Sequence, residues 1–319
     1  MKLKLLTLAI VLGATAFGQA KSSPYKAPRT PDGVPDFQGV YSKSSETPVE
    51  RVATLGEKEF YTEQEMKDRA AARALPQAAR DVGVHYDNAQ FGLVRNVTPD
   101  MISNRTSIIT GKTGRKPALI PSAKAREDGE RAAVAGKNND GIEFRSMAER
   151  CVYWGAEGPP MMPGGYNDTL QIHQGPGYVA IEQEMAHVVR LIPTDGRGHA
   201  PDAVRNYFGD AIGHWEGDTL VVETTNFADQ PSLRDASRNL RVTERLTMTG
   251  PKTIKYQFTV SDPSTWEQSW SGEYLMGKID GALYEYACQE ANHGVANILK
   301  IARADEKKAA DAAAAAAQK

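Results

Sequence analysis

The sequence predicts a mainly β fold with flanking helices: an antiparallel meander forming a barrel or a strongly curved sheet, followed by a C-terminal helix. Three observations carry this. From about residue 167 the chain breaks into short runs rich in Val, Ile, Thr and Tyr, residue types that suit a pleated, half-buried surface. Turn chemistry separates those runs, at Gly175-Pro176-Gly177, Pro193-Thr194-Asp195-Gly196, Glu216-Gly217-Asp218, Gly250-Pro251 and Asp262-Pro263. Repeated short strands with such punctuation argue for a meander. Beyond them, Val295, Ile298, Leu299 and Ala302 fall at helical spacing and make an apolar stripe over residues 285–304.

The elements before the strands follow from local chemistry. Lys2 and Lys4 precede an apolar run from Leu5 to Phe17, with small residues at Gly18 and Ala20. That pattern predicts a signal peptide over residues 1–20, because the run is too short to span a bilayer. Residues 21–56 are rich in Pro, Ser, Thr and Gly, which favours an extended arm. A helix is expected from Thr62 to Arg80, where Thr62 and Glu65 fit a capping box and Pro76 interrupts. A shorter one is expected over 122–136. Residues 57–304 then form a single β-rich domain, and the Ala- and Lys-rich tail 305–319 has little to bury.

Composition excludes several classes. With 40% hydrophobic and 24% charged residues the chain is of ordinary globular type. Its formal charge of −2 becomes more negative without Lys2 and Lys4, and no basic stripe suggests a nucleic-acid partner. No later stretch approaches a transmembrane segment, so a soluble periplasmic or secreted protein is expected. Cys151 and Cys288, the two cysteines, are expected to form a disulfide in that oxidising compartment. Neither lies in a CxxC or has a histidine at ligand spacing.

Several stretches resemble a family of hypothetical secreted bacterial proteins. They are PDFQGVYS, NRTSIITGKTGRKPALIP, ERCVYWG, PGGYNDTLQIHQGPGYVAIEQEMAHVVRLIPTDGRGH, GDAIGHWEGDTLVVETTNF, TIKYQFTVSDPSTW and YEYACQEANHGVANIL. The resemblance covers nearly the whole mature chain and implies export, one domain and a β-rich body; it carries no reaction. Against the family pattern a histidine stands at His173, and Val188 stands where an acid is expected, which is compatible with a retuned pocket or with drift.

Chemistry-bearing residues concentrate in EMAHVVRLIPTDGRGH, residues 184–199. If 179–184 and 187–192 are paired strands, period-two alternation puts Glu182 and Glu184 on one face, and His187, Val189 and Leu191 together on a face opposite Arg190. His187 would then be partly buried on the apolar side, and Arg190 would pair with a carboxylate, as a fold-holding ion pair or a functional one. In Asp195-Gly196-Arg197-Gly198-His199 the glycines permit a tight loop that presents three polar side chains. Asp195 could orient His199, and Arg197 could hold an anion. Glu184, His187, Asp195 and His199 would suit zinc by ligand type, but their spacing matches no metal motif, and no metal is expected.

Polar contacts from other segments are expected from Arg105, Tyr166, Asn167, Gln171, His173 and Tyr286. Tyr284, Glu285, Glu290, Asn292 and His293, beside the expected disulfide, would join Tyr286 in closing one end of a cavity. There is no G-x-S-x-G elbow, no GxGxxG after a strand and no Walker loop, which disfavours a lipase-type serine and nucleotide cofactors. The expected function is therefore an exported, cofactor-independent lyase, isomerase or hydrolase with general acid/base chemistry in a barrel pocket. His187 or His199 would move the proton, Asp195 or Glu184 would orient it, and Arg190 or Arg197 would stabilise negative charge. The alternatives are a periplasmic binding protein for an apolar or aromatic molecule and an envelope-associated structural protein.

Overall fold

The computed structural model describes residues 25–74, 97–164, 166–290 and 292–317. The expected leader and the helical stretch around Pro76 lie outside the described residues. Among the described residues nine strands form one antiparallel sheet: β1 (Gly39–Ser42), β2 (Thr169–Gly175), β3 (Tyr178–Gln183), β4 (Val189–Pro193), β5 (Asp210–Glu216), β6 (Thr219–Thr225), β7 (Arg241–Gly250), β8 (Thr253–Ser261) and β9 (Trp270–Lys278). Their order is β4-β3-β2-β1-β9-β8-β7-β6-β5. It is a meander nearly closed into a barrel, whose seam falls between β4 and β5.

The closure is made by part of the Pro-rich segment. β1 pairs with β2 through Gly39↔Ile172 and Tyr41↔Leu170, and with β9 through Tyr41↔Lys278. By pairing with both β2 and β9, β1 leaves the open edges in mid-chain, at β4 and β5.

Alternation explains which side chains fill the barrel. β7 turns Val242, Glu244, Leu246 and Met248 inward; β8 adds Ile254, Tyr256, Phe258 and Val260, and β9 adds Trp270, Tyr274 and Met276. All of these except Glu244 join Met161, Leu170, Ile172, Ile181 and Ile192 in one continuous buried cluster. The outer face is polar, as in the Thr259–Ser271 and Gln257–Glu273 hydrogen bonds across strands. The interior is thus a packed core filled by side chains, and a concavity has to be sought at the rim or the seam.

At the seam β5 presents Gly213, whose missing Cβ would sit 2.9 Å from Ile192 Cγ2 and 3.2 Å from Thr194 Cγ2. Glycine lets the two unpaired edges approach. Gly213→Val is expected to wedge them apart and cost about 1–3 kcal/mol through overpacking, measurable as a lower urea midpoint. An unchanged midpoint would show that the edges yield freely.

Among the described residues three helices flank the sheet. α1 (Glu63–Ala74) opens with the expected capping box: Glu65 N–H donates to Thr62 Oγ1 at 3.3 Å, and Thr62 N–H donates to Glu65 Oε2 at 2.7 Å. α2 (Pro121–Val134) begins with proline, which lacks the N–H that a first turn cannot use. α3 (His293–Ala317) corrects the expected start at residue 285. Before it, the Cys151–Cys288 disulfide and an Asn292 Nδ2–H bond to the Glu149 carbonyl hold the chain in an irregular segment. Helical structure then continues through the Ala-rich tail, exposed along most of its length.

The disulfide links positions 137 residues apart, a loop for which the chain-entropy model gives about 5 kcal/mol of stabilisation. Among the described residues no helix is long and apolar enough to cross a membrane. The disulfide is consistent with a protein outside the cytoplasm.

Candidate functional site

The stretch Val189-Arg190-Leu191-Ile192 offers two faces, one with Val and Leu, the other with Arg and Ile. Hydrophobicity alone favours burying the first, and the structure does the reverse. Val189 and Leu191 are 58% and 60% exposed, while Arg190 is 5% exposed. The reason lies on β7. Arg190 Nη1–H donates to Glu244 Oε1 at 2.9 Å, Nη2–H bonds Oε2 of the same carboxylate, and Tyr256 Oη–H donates to Oε1 at 2.7 Å. Met161 N–H in turn donates to Tyr256 Oη at 2.8 Å.

A forked guanidinium–carboxylate pair with a third donor satisfies most of the polar capacity that burial strips of water. Burial alone would lower the Arg190 pKa, but the adjacent Glu244 charge overrides it and keeps the guanidinium firmly protonated. Burial, aided by the same carboxylate, pushes the Tyr256 phenol well above its ordinary value. The hairpin's own carboxylates, Glu182 and Glu184, are engaged elsewhere.

His187 does not lie on a strand face. It ends the turn Met185–His187, with Ala186 and His187 both in the left-handed region at φ +57° and +51°, and its exposed ring accepts the Tyr286 N–H at Nε2, 3.1 Å away. Tyr286 meets Trp154 edge-on at 5.3 Å, and burial together with a hydrogen bond to Tyr166 pushes its phenol up to about 12. Asn167 Nδ2–H donates to Glu184 Oε1 at 2.9 Å. Thus His187 meets Tyr286 and Asn167 meets the buried Glu184, with Tyr166 bonded to Tyr286, while Tyr284 stands exposed.

Other expected contacts are dispersed. Gln171 and His173 lie on the outer face of β2 opposite Glu182 and Ala180, with His173 Nε2 3.5 Å from Glu182. Arg105 is bound to Glu59 and Glu273, 2.8 and 3.3 Å away, beneath the Phe60 ring. Among the described residues no three His, Cys, Asp or Glu side chains gather as metal ligands, and the set Glu184, His187, Asp195 and His199 is split between two places.

The loop after β4 rearranges the expected Asp195–His199 pair. Asp195 accepts bonds from Arg197 instead, at 2.9 and 3.1 Å from Nε. That hydrogen bonding draws the Asp195 pKa down to about 2. Any stability from this depressed carboxyl is present above its unfolded pKa near 3.9 and is lost as pH falls through about 2. In a ¹³C-detected titration Asp195 is expected to titrate near 2 in the parent and to return to about 3.9 in Arg197→Ala; a normal parent value would dissolve the pairing.

His199 has a different carboxylate. Its Nδ1 lies 2.8 Å from Asp210 Oδ2, which also accepts the Ala200 N–H at 2.9 Å. Both side chains are about one quarter exposed. Asp210 opens β5, and next to it the seam widens into a crevice of about 390 Å³ lined by Leu191 and Pro193 of β4, Asp210 and Ile212 of β5, and Asn206 and Phe208 of the loop. Arg190, Arg197 and the neighbours of His199, Gly198 and Ala200, also line it.

His199 Nδ1 is held by the Asp210 carboxylate, and its Nε2 has no protein partner among the described residues. The arrangement can take up and return a proton beside a half-apolar cleft. Asp210, Glu244 and Tyr256 were not among the expected site residues. Glu244 carried a detectable signal, an acid in phase with Val242, Leu246 and Met248; Asp210 carried none.

Fold and crevice together define a β-barrel protein whose accessible cleft opens between two strand edges. Comparisons of the chain with protein-family models, curated proteins and solved structures find no match, so function has to be argued from this geometry.

Proposed function

We propose that this is an exported enzyme acting on a small organic molecule in the seam crevice by general acid/base chemistry, without a nucleotide cofactor. One observation carries the reading: the 2.8 Å His199–Asp210 contact beside the crevice. His199 Nε2 would take the substrate proton and return it. Asp210 would fix the tautomer and stabilise the imidazolium, and Arg197 at the rim would hold the developing negative charge. Lyase, isomerase and hydrolase chemistry all draw on such a set, because each moves a proton and holds an anion. Export is supported by the apolar run behind Lys2 and Lys4 and by the disulfide. A binding role is favoured by the apolar wall of Leu191, Pro193, Phe208 and Ile212.

The two readings separate when the mature protein is incubated with a small-molecule library and products are followed by mass spectrometry. His199→Ala is expected to keep ligand binding and lose turnover at least about 10²-fold. Binding with no turnover in the parent would establish the carrier, and undiminished turnover in the variant would remove His199 from the chemistry.

A further inference from the structure

Among the described residues the eight pairings that lead from β4 round the sheet to β5 are all antiparallel. Eight reversals restore the starting direction, so the two edges that face each other across the seam run parallel. The connection agrees: residues 194–209 return from the end of β4 to the start of β5, the length of crossover that parallel neighbours need and far more than a hairpin turn. No ladder joins the two edges. An extended segment laid between them, running opposite to both, would continue the antiparallel pattern on each side.

Alternation identifies the backbone groups such a segment would meet. Gln183 N–H donates to the Val188 carbonyl at 2.9 Å and Thr194 N–H to the Gly177 carbonyl at 2.7 Å, so the even positions of β4 face β3 and Leu191 turns its N–H and C=O to the seam. On β5 the count starts from the two-residue Gly217-Asp218 turn, flanked by the Glu216–Thr219 pair, and it turns Ala211 to the seam. Leu191 and Ala211 both line the crevice. Side chains alternate too: Leu191 is 60% exposed on the outer face, and Ile212, next to the inward Gly213, turns outward beside it and also lines the crevice. Where Gly213 meets Ile192 the seam is shut, so only a short segment fits. The inward charge of Arg190 deters pairing with long strands in the same way.

We propose that the seam crevice takes a short extended peptide with an apolar side chain, lying antiparallel to β4 and β5 and hydrogen-bonded through its backbone to Leu191 and Ala211. This is strand addition: the main chain supplies affinity, and alternate side chains supply specificity. The residue turned outward packs between Leu191 and Ile212. An apolar molecule without amide groups would cover those side chains and leave both strand edges unused. The inference rests on the crevice being the ligand site and names the substrate class for it.

The test uses the full mature protein and three probes: acetyl-Thr-Val-Thr-N-methylamide, the same peptide N-methylated at its valine, and toluene. In NMR titrations the first is expected to bind about tenfold more tightly than either of the others. At saturation it should slow hydrogen exchange of the Leu191 and Ala211 amides about tenfold. Leu191→Pro removes the seam-facing N–H at an edge position where proline is tolerated, and should weaken the peptide about tenfold. Should that variant not fold, Leu191→Ser, a change at an exposed side chain, is expected to weaken it by removing the apolar contact. His199→Ala should leave peptide binding unchanged. Equal affinity for the peptide and its N-methylated form, or no protection at Leu191, overturns the proposal. Such a failure with His199-dependent turnover of another library compound intact leaves the enzymatic reading standing; peptide binding as described, without turnover of any compound, removes that reading alone.

Discussion

Glu244→Ala is expected to destabilise the protein by about 3–5 kcal/mol, because it breaks a buried ion pair while leaving the cation in place. The side chains of Arg190 and Glu244 are 4% and 1% exposed, so the remaining guanidinium could not recover its hydration without opening the sheet. Tyr256 Oη–H would lose its acceptor as well. The pair itself need contribute little: its attraction is offset by the desolvation of both ions, and the penalty comes from separating them. The double variant Arg190→Met/Glu244→Leu should therefore regain most of the loss. Urea unfolding at pH 7 checks both statements, with unchanged slopes marking a pure change in stability. A loss near 1 kcal/mol in Glu244→Ala would mean that the seam admits water to Arg190.

This pair also shows where the sequence stops being informative. The strands were legible because alternation and turns are local: Val242, Leu246 and Met248 on β7 name their own face. The capping box was legible for the same reason, since Thr62 and Glu65 lie within one turn. The direction of β4 was not. Val189 and Leu191 looked like its buried face, but the choice was made by Glu244, 54 positions away, whose inward carboxylate needs a cation. An inward charge on an edge strand also discourages further strand pairing, which suits a strand bordering the open seam.

The candidate site was half legible on the same grounds. His199 was singled out by its loop, but proximity in sequence suggested Asp195, four residues away. A two-residue reach lets Arg197 engage Asp195 first, and the chain must travel to β5 before a second carboxylate meets the imidazole. Where a meander leaves its edges unpaired is set by strand tilt and by β1 joining β9, neither of which is written in a short motif. The crevice could not be placed before the closure was known.

Asp210→Asn is expected to lower turnover by about 10²- to 10⁴-fold while the crevice keeps its shape. The asparagine can still hydrogen bond to His199, but its amide donates where the carboxylate accepted. The imidazole answers by carrying its proton on Nε2, which then points a donor at the substrate and has no lone pair to use as a base. Asp210 is thus a positioning residue, and a readout other than rate has to report the tautomer: in ¹⁵N-resolved histidine spectra Nε2 should switch from unprotonated to protonated in the neutral variant. Asp195→Asn, which disturbs only Arg197, should leave that spectrum unchanged. Should Asp210→Asn keep the parent tautomer and the parent rate together, the 2.8 Å contact serves the loop's packing, and the proton carrier has to be sought elsewhere.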